Sequence, residues 1–157
     1  MKYKNGEIVR IIDILNHFAE TKLPAKISFA IIKNQNYFNK EYQDYTKALS
    51  RILEVYSDNF VVDKDGKVKS DKYGVPELSD KELHQKMKKE IKELMSVEVD
   101  VQRFYIDESV FDYDDSKYDI LTPNDMSILM FILCDHNDTT EETKEWQNKN
   151  INRKKQK

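Results

Sequence analysis

The sequence is poor in the residues that build disulfide scaffolds and loop-rich folds. Its 157 residues include one cysteine, three glycines and three prolines. Cys134 alone cannot form an intramolecular disulfide or supply a cysteine-based zinc finger. The scarcity of glycine and proline argues against a large sandwich and against a glycine-rich loop that cradles phosphate. The length fits one domain with an appendage.

Long apolar runs and a surplus of basic charge are also missing. Charged residues make up 35% of the chain and apolar residues 39%, and the net charge is −3. No run approaches the roughly 20 apolar residues that span a membrane, and the first residues lack the pattern of a signal peptide. Without a basic surplus, we expect no direct binding to nucleic acid. These features predict a cytoplasmic protein without a membrane partner.

Helical periodicity accounts for most of the apolar residues. A first helix, with Asn5 as its predicted N-cap, carries one apolar face made of Ile8, Ile11, Ile12, Leu15 and Phe18. A second helix is predicted from Pro24 to about Ser57, a length of roughly 50 Å. Its apolar seam repeats every seven residues, as in a coiled coil, through Ile31, Phe38, Tyr45 and Ile52 and through Tyr42, Leu49 and Tyr56.

A third helix is the predicted partner of this seam. The stretch "SDKE" has the pattern of a capping box, with Ser79 as the N-cap and Glu82 reaching back. An apolar stripe of Leu83, Met87, Ile91 and Leu94 follows it. We predict that residues 24–95 form a long antiparallel helical pair, closed by a tip β-hairpin at residues 59–76.

The tip contains "VVDKDGKVKSDKYGV", whose DxDG pattern opens many calcium loops. With Asp63 as the first ligand position of an EF-hand, Gly66 falls at position 4 instead of 6, and Gly74 falls where a bidentate glutamate is required. Four lysines nearby also repel a cation. A hairpin turn at Asp65–Gly66 explains the pattern better, because glycine supplies a positive φ. Deletion of Lys64–Lys72 is predicted to leave the fold intact.

The third helix is followed by a predicted strand. Three valines alternate with acidic residues at its start, and the strand continues to Ile106 after a bulge at Gln102–Arg103. The strand that pairs with Val97–Ile106 remains open among three candidates: the hairpin strands, residues 107–119 and another subunit. A lone strand is not stable, so one partner is required.

The final helix begins with two residues that favour a helix N-terminus. Thr122 is its predicted N-cap and Pro123 occupies its first turn. Together these elements predict an α+β fold that is mainly helical, with a long antiparallel helix pair, a tip β-hairpin, one further strand and a capped C-terminal helix. We expect one domain over residues 1–136 and a polar, flexible tail over residues 137–157.

Side chains suited to catalysis are sparse. His17, His84 and His136 are the only histidines. Cys134 and His136 stand two residues apart, which on a helix separates their side chains by about 200°. The motifs of nucleotide-binding loops, zinc proteases and serine hydrolases do not occur. We therefore assign no catalytic, cofactor-binding or metal-binding residue and expect no cofactor and no enzyme activity.

The stretch "DESVFDYDDSKYD", residues 107–119, is the most unusual feature of the sequence. It holds six acidic residues and one lysine, with aromatic residues between them. It is either a solvated loop or a docking surface for a basic partner, in which carboxylates take the place of phosphates. The seam tyrosines offer a route to a homo-oligomer. The candidate partner-binding residues are Asp107, Glu108, Phe111, Asp112, Tyr113, Asp114, Asp115 and Tyr118.

Five blocks occur in a fixed order: "LPAKISFAIIKN", "ILEVYS", "DKDGK", "KELMSVEVDV" and "LTPNDMSILMFIL". In this order they resemble a family of small proteins encoded by phages and prophages of Gram-positive bacteria, a family known as a domain of unknown function. The resemblance covers residues 5–133 and departs from the family in the acidic segment and the basic-ended tail. It implies a phage origin and supplies no catalytic or binding residues.

The resemblance and the lack of catalytic motifs together predict a binding function. We expect a phage-encoded, non-catalytic interaction protein that binds and inhibits a host factor in the host cytoplasm, with an anti-defence protein of the anti-CRISPR kind as one form. Two alternatives remain open: a structural or assembly protein such as a tail or virion chaperone, and a binder of a small nucleotide signal. Its partner is expected to be a host or phage protein.

Overall fold

The computed structural model describes residues 1–72 and 74–135. Within them the chain forms four α-helices, two short strands and two short 3-10 helices. A mainly helical α+β fold is therefore confirmed. The elements, in chain order, are β1 (Lys2–Lys4), α1 (Asn5–Ala19), α2 (Ala25–Tyr56), a 3-10 helix (Ser57–Asn59), α3 (Lys81–Ser96), β2 (Glu98–Asp100), a 3-10 helix (Glu108–Phe111) and α4 (Pro123–Leu133).

The chain divides into two compact units. The first unit comprises Met1–Thr21 and Ile31–Arg103, and the second comprises Lys22–Ala30 and, among the described residues, 104–135. The predicted tail at 137–157 lies outside the described residues. A single domain over residues 1–136 stays a prediction.

The predicted strand after α3 pairs with the first residues of the chain. β1 and β2 are antiparallel, and Tyr3 lies opposite Val99 in their register. Lysines of β1 face acidic residues of β2 on either side of this pair, which favours the register. The observed partner, β1, is not among the three candidates that were predicted from the sequence, which were the hairpin strands, residues 107–119 and another subunit. The strand is also shorter than expected, since β2 ends at Asp100 and not at Ile106.

Asn5 has a different role from the one predicted for it. It is the first residue of α1, and Lys4 occupies the N-cap position. The Asn5 side chain is buried, and its Nδ2 donates to the Leu94 carbonyl in the last turn of α3 at 2.9 Å. The carbonyls in the last turn of a helix lack partners within the helix, so this bond fixes the start of α1 to the end of α3.

The apolar face predicted for α1 is largely confirmed. Four of its five residues are buried, and Ile11 is half-buried. Phe38 of α2 is also fully buried, and its ring meets the Tyr3 ring edge-to-face at 5.2 Å between centroids. The core of the first unit thus includes the β1 tyrosine. The buried α1 residues are Ile8, Ile12, Leu15 and Phe18.

The C-terminal half of α2 shares a hydrophobic cluster with α3. Leu49, Ile52 and Tyr56 of the predicted seam belong to this cluster, as do Met87 and Ile91 of the predicted α3 stripe. Residues of both predicted stripes therefore pack into one hydrophobic cluster. The remaining members are Leu53, Phe60, Val75, Leu78 and Leu83.

The residue that caps α3 is Asp80, not Ser79. The Asp80 carboxylate accepts from the backbone N–H groups of Glu82 and Leu83 at 2.8 and 3.1 Å. Ser79 instead donates its backbone N–H to the Asn59 carbonyl at 3.0 Å. The "SDKE" pattern thus predicted the position of the helix start within one residue. Aspartate is at least as good an N-cap as serine, so the pattern allowed both.

Two turns, and not one, form the tip. In the first, the Asp63 side chain accepts from the backbone N–H groups of Asp65 and Lys67, and Gly66 has φ +77°. In the second, eight residues later, the Asp71 side chain accepts from the Val75 N–H, and Gly74 has φ +78°. The turn predicted at Asp65–Gly66 is confirmed. The second turn was not predicted.

A ring of three backbone hydrogen bonds joins the segments beside these turns. Val61 N donates to Glu77 O, Glu77 N donates to Lys69 O, and Lys69 N donates to Val61 O, each at 2.8 Å. The three residues are spaced by eight, the same spacing as the two turns. Each of them therefore both donates to one neighbour and accepts from the other, and the tip is a closed three-segment arrangement instead of a simple hairpin.

The second unit contains α4 and a core of its own. Thr122 caps α4 as predicted, with its hydroxyl accepting from the Asp125 N–H at 3.2 Å, and Pro123 lies in the first turn. Cys134 is buried at the end of this helix. The other buried apolar residues of this unit are Leu23, Ile27, Ala30, Phe111, Leu121, Leu129, Ile132 and Leu133.

Candidate docking surface

The acidic segment, residues 107–119, belongs to the second unit and starts with a local cap. Asp107 precedes the short 3-10 helix, and its carboxylate accepts from both the backbone N–H and the hydroxyl of Ser109. These two hydrogen bonds lower the pKa of Asp107 below 3.8, with a smaller contribution from the charge of Lys26. Asp107 is therefore held in its ionised form, in a fixed orientation.

Phe111 differs from the other predicted contact residues because it points into the core. Only 4% of its surface is exposed. It is the last residue of the 3-10 helix, so its burial anchors the segment to the second unit. Phe111 therefore positions the surface and does not itself form part of it.

Tyr113 and Tyr118 form the aromatic part of the segment. Their rings meet nearly at right angles, with centroids 5.7 Å apart. The Tyr113 hydroxyl donates to the Asp119 carbonyl at 2.9 Å. Burial, followed by the charge of Asp119, raises the pKa of Tyr113 above 10.0. The contact between these two rings brings together two points of the segment that are five residues apart, so the chain between them forms a loop.

Lys117 is the one cation of the segment, and the segment's own residues engage it. Its Nζ lies 2.8 Å from the Asp115 carboxylate and 5.0 Å from the centre of the Tyr118 ring. The bond with Asp115 raises the pKa of Lys117, and the bonds with Lys117 lower the pKa of Asp115. Both side chains are well exposed, so water screens this pair and it contributes little to stability.

Two carboxylates of the segment are left for a partner. Asp112 and Asp114 are exposed, and within the described residues their side chains make no hydrogen bond or ion pair. Glu108 is also exposed, and it does have a bonding partner within the chain. Asp112 and Asp114 flank Tyr113, so the free negative charge is concentrated next to the tyrosine pair.

The end of the acidic segment is fixed to the residues before α2. The Asp119 carboxylate accepts from the Lys22 N–H at 2.7 Å, and the Asp119 N–H donates to the Lys22 carbonyl at 2.8 Å. Ile120, the next residue, is 95% exposed. Because the backbone next to it is fixed, the exposed Ile120 side chain is available for an apolar contact with a partner protein. Ile120 was not among the contact residues predicted from the sequence, because its exposure depends on how the chain folds around it.

The histidines and the cysteine do not meet within the described residues. His84 Nδ1 accepts from the Leu78 N–H at 3.2 Å, and the His17 ring packs on Phe18. His136 lies outside the described part of the chain. Among residues 1–72 and 74–135, no group of three or more His, Cys, Asp or Glu side chains could hold a metal ion.

No protein-family model, curated protein or solved structure matches the chain. The resemblance to a phage family therefore stays a prediction. None of the helices in the described residues is both long enough and apolar enough to cross a membrane.

Proposed function

We propose that this chain is a non-catalytic interaction protein that binds a basic surface of a protein partner through its acidic segment. The observation that carries the proposal is the arrangement of free carboxylates around a fixed aromatic pair, ending in the exposed Ile120. Specific protein surfaces combine aromatic and apolar anchors with charged groups at the rim. In keeping with the resemblance, the partner is a host factor that a phage protein inhibits in the host cytoplasm.

The local hydrogen bonds support this proposal over a plain solvated loop. Asp107, Tyr113 and Asp119 each bond within the second unit, so the segment is ordered before it meets a partner. A preordered surface loses less conformational entropy on binding than a flexible loop does. The free charges of Asp112 and Asp114 can then accelerate association with a basic partner, an effect that salt weakens.

The finer fold prediction is part of the same proposal. We propose that α2 and α3 lie antiparallel, which their shared cluster and the hydrogen bond from Tyr56 to Glu90 support. Of the seam tyrosines, Tyr56 then serves this intramolecular contact, since it is buried within the first unit. A homo-oligomer through the seam stays a prediction.

The proposal is tested by charge reversal followed by affinity capture. The tagged chain is incubated with lysate of a Gram-positive host at low salt, beside the double variant Asp112→Lys, Asp114→Lys. A matched control carries Asp13→Lys and Glu54→Lys, two exposed acidic positions of the first unit. We expect one basic host protein to bind the wild type and the control and to be lost from the Asp112, Asp114 variant.

Two outcomes contradict the proposal. One is capture of no specific protein by the wild type at low salt. The other is capture of the same protein by both double variants, because the free carboxylates of the acidic segment then play no part in binding. Circular dichroism of each variant verifies that the helices are retained, so that a loss of capture is not a loss of folding.

A further inference from the structure

The first unit contains a groove with almost wholly apolar walls, and nothing in the proposed function uses it. Its volume is about 740 Å³. Leu49 and Leu53 of α2, Ile91 and Met95 of α3, and Val75 of the second tip turn line it. Small-molecule sites have volumes of about 300–1,000 Å³ and mostly apolar linings with a few polar groups. The groove has the size and the walls of such a site.

The few polar groups of the groove leave a positive charge uncompensated. Lys88 and Asp71 both line it and form an ion pair with 3.3 Å between Nζ and the carboxylate. Lys92 lies one turn after Lys88 on the same helix and also lines the groove. Within the described residues, no ion pair or hydrogen bond engages the Lys92 ammonium. An anion is therefore the charged group that this groove favours.

Tyr45 adds a hydrogen-bond donor to the same groove. Its ring packs against Tyr42, with centroids 6.4 Å apart, and among the described residues its hydroxyl has no partner. Burial, followed by the nearby Tyr42, raises the pKa of Tyr45 above 10.0. The hydroxyl therefore keeps its proton at neutral pH and is able to donate to an oxygen of a ligand.

We propose that this groove binds a small amphipathic carboxylate, with an alkyl chain against the apolar walls and the carboxylate at Lys92. The aliphatic walls suit a chain better than a nucleotide, whose base and phosphates require many more polar partners. A cationic amphiphile is disfavoured, because Lys88 already pairs with Asp71 and Lys92 repels it. The occupant is a free small molecule and not a membrane surface, since the apolar side chains line a groove and do not form a flat face.

The first experiment compares two ligands that share a tail and differ in the sign of the head group. Dodecanoate and dodecyltrimethylammonium are titrated into the full chain by calorimetry, each below its aggregation concentration. We expect dodecanoate to bind saturably with one site per chain. The cationic ligand is expected to bind at least about tenfold more weakly, a difference of the size that bonds to charged groups produce.

Two lysines of α3 provide a matched pair of variants. Lys92→Glu reverses the charge inside the groove, whereas Lys89→Glu reverses a charge outside its lining, where Lys89 pairs with Glu93 at 3.9 Å. We expect Lys92→Glu to weaken dodecanoate binding about tenfold or more and Lys89→Glu to leave it within about twofold. Leu53→Trp, which fills the groove, is expected to weaken both ligands.

Several outcomes overturn the inference. They are no saturable binding of dodecanoate, equal affinity for the two ligands, or equal effects of the two lysine variants. Two further outcomes also overturn it: binding to phosphatidylglycerol vesicles without binding to monomeric dodecanoate, and Lys92-dependent binding of a cyclic dinucleotide without dodecanoate binding. The residues of this groove are distinct from those of the acidic segment, so failure here leaves the capture experiment unaffected.

Discussion

At the scale of single residues, Tyr56 joins packing to electrostatics. It is buried in the cluster shared by α2 and α3, and its hydroxyl donates to Glu90 Oε1 at 2.8 Å. Burial raises its pKa above 10.0, and the bond to Glu90 and the charge of Glu90 raise it further. The folded protein thus holds the Tyr56 proton more tightly than the unfolded chain does.

This gives a pH dependence of stability with a defined sign. Because the pKa of Tyr56 is higher in the folded state, the free energy of unfolding falls as the pH rises from 10.0 toward that higher value. In Tyr56→Phe this alkaline loss should be smaller. Urea unfolding at several pH values above neutrality measures it, with Tyr37→Phe on the same helix as the control. An equal alkaline loss in Tyr56→Phe and the wild type would contradict the assigned role.

Phe111 and Ile120 have opposite roles in and beside the acidic segment. Phe111 is buried and anchors the segment, whereas Ile120, the residue after the segment, is exposed. Phe111→Ala should destabilise the protein by about 3–5 kcal/mol, the usual cost of removing a buried phenylalanine. Ile120→Ala should change stability by less than about 0.5 kcal/mol, because an exposed side chain loses few contacts. Denaturant unfolding of both variants checks this. Similar losses in the two would mean that Ile120 is packed, which removes it from the docking surface.

At the scale of elements, the tip shows what the sequence could and could not predict. The first turn was predictable, because Asp65–Gly66 is a strong turn signal between valines. The second turn was not predicted, although the pattern Asp-Lys-x-Gly occurs twice, at Asp63–Gly66 and at Asp71–Gly74, with an offset of eight residues. A comparison of the segment with itself at that offset finds the repeat. The ring of hydrogen bonds through Lys69 also means that deletion of Lys64–Lys72 should now destabilise the tip.

Gly66 tests the turn geometry of the tip. It has φ +77°, and a Cβ added there meets nothing within 4 Å, so any cost of substitution comes from the backbone alone. Gly66→Ala should lower the free energy of unfolding by about 1–2 kcal/mol. The neighbouring exposed Lys67→Ala should leave it within about 0.5 kcal/mol. Thermal unfolding of both compares them, and an unchanged stability of Gly66→Ala would show that the turn does not hold this conformation.

The pairing of β2 illustrates why strands are harder to place than helices. The valine alternation located β2, but its partner Lys2–Lys4 has one apolar residue and no periodic pattern. The apolar face of a helix can be predicted from the spacing of apolar residues within the helix itself, as it was for α1. A strand depends on a partner that lies almost one hundred residues away in the chain, as the pairing of Lys2 with Asp100 shows. No local pattern contains that information.

At the scale of the whole molecule, a net charge of −3 conceals an uneven distribution. The acidic segment alone holds six acidic residues and one lysine, so the rest of the chain is slightly basic. The sequence identified this segment, and seven of its eight predicted contact residues lie at least partly on the surface. It could not reveal that Phe111 points inward, or that Ile120 points outward, because both depend on how the segment folds back.

The groove could not be predicted from the sequence either. Its walls come from α1, α2, α3 and the tip, and Tyr45 and Lys92 are 47 positions apart in the chain. From the sequence, Tyr45 was assigned to the apolar seam of the second helix, and nothing in the local pattern distinguished Lys92 from the other lysines of the third helix. Only the packing of the elements makes them line the same space.

The central claim, that the acidic segment is the docking surface, is tested most directly by site-specific photocrosslinking in host cells. A benzoyl-phenylalanine at Ile120 is compared with one at Val55, which is 76% exposed on α2 in the first unit. We predict that the probe at position 120 forms an adduct with one basic host protein and that the probe at position 55 does not. No adduct from position 120, or the same adducts from both positions, would contradict the account.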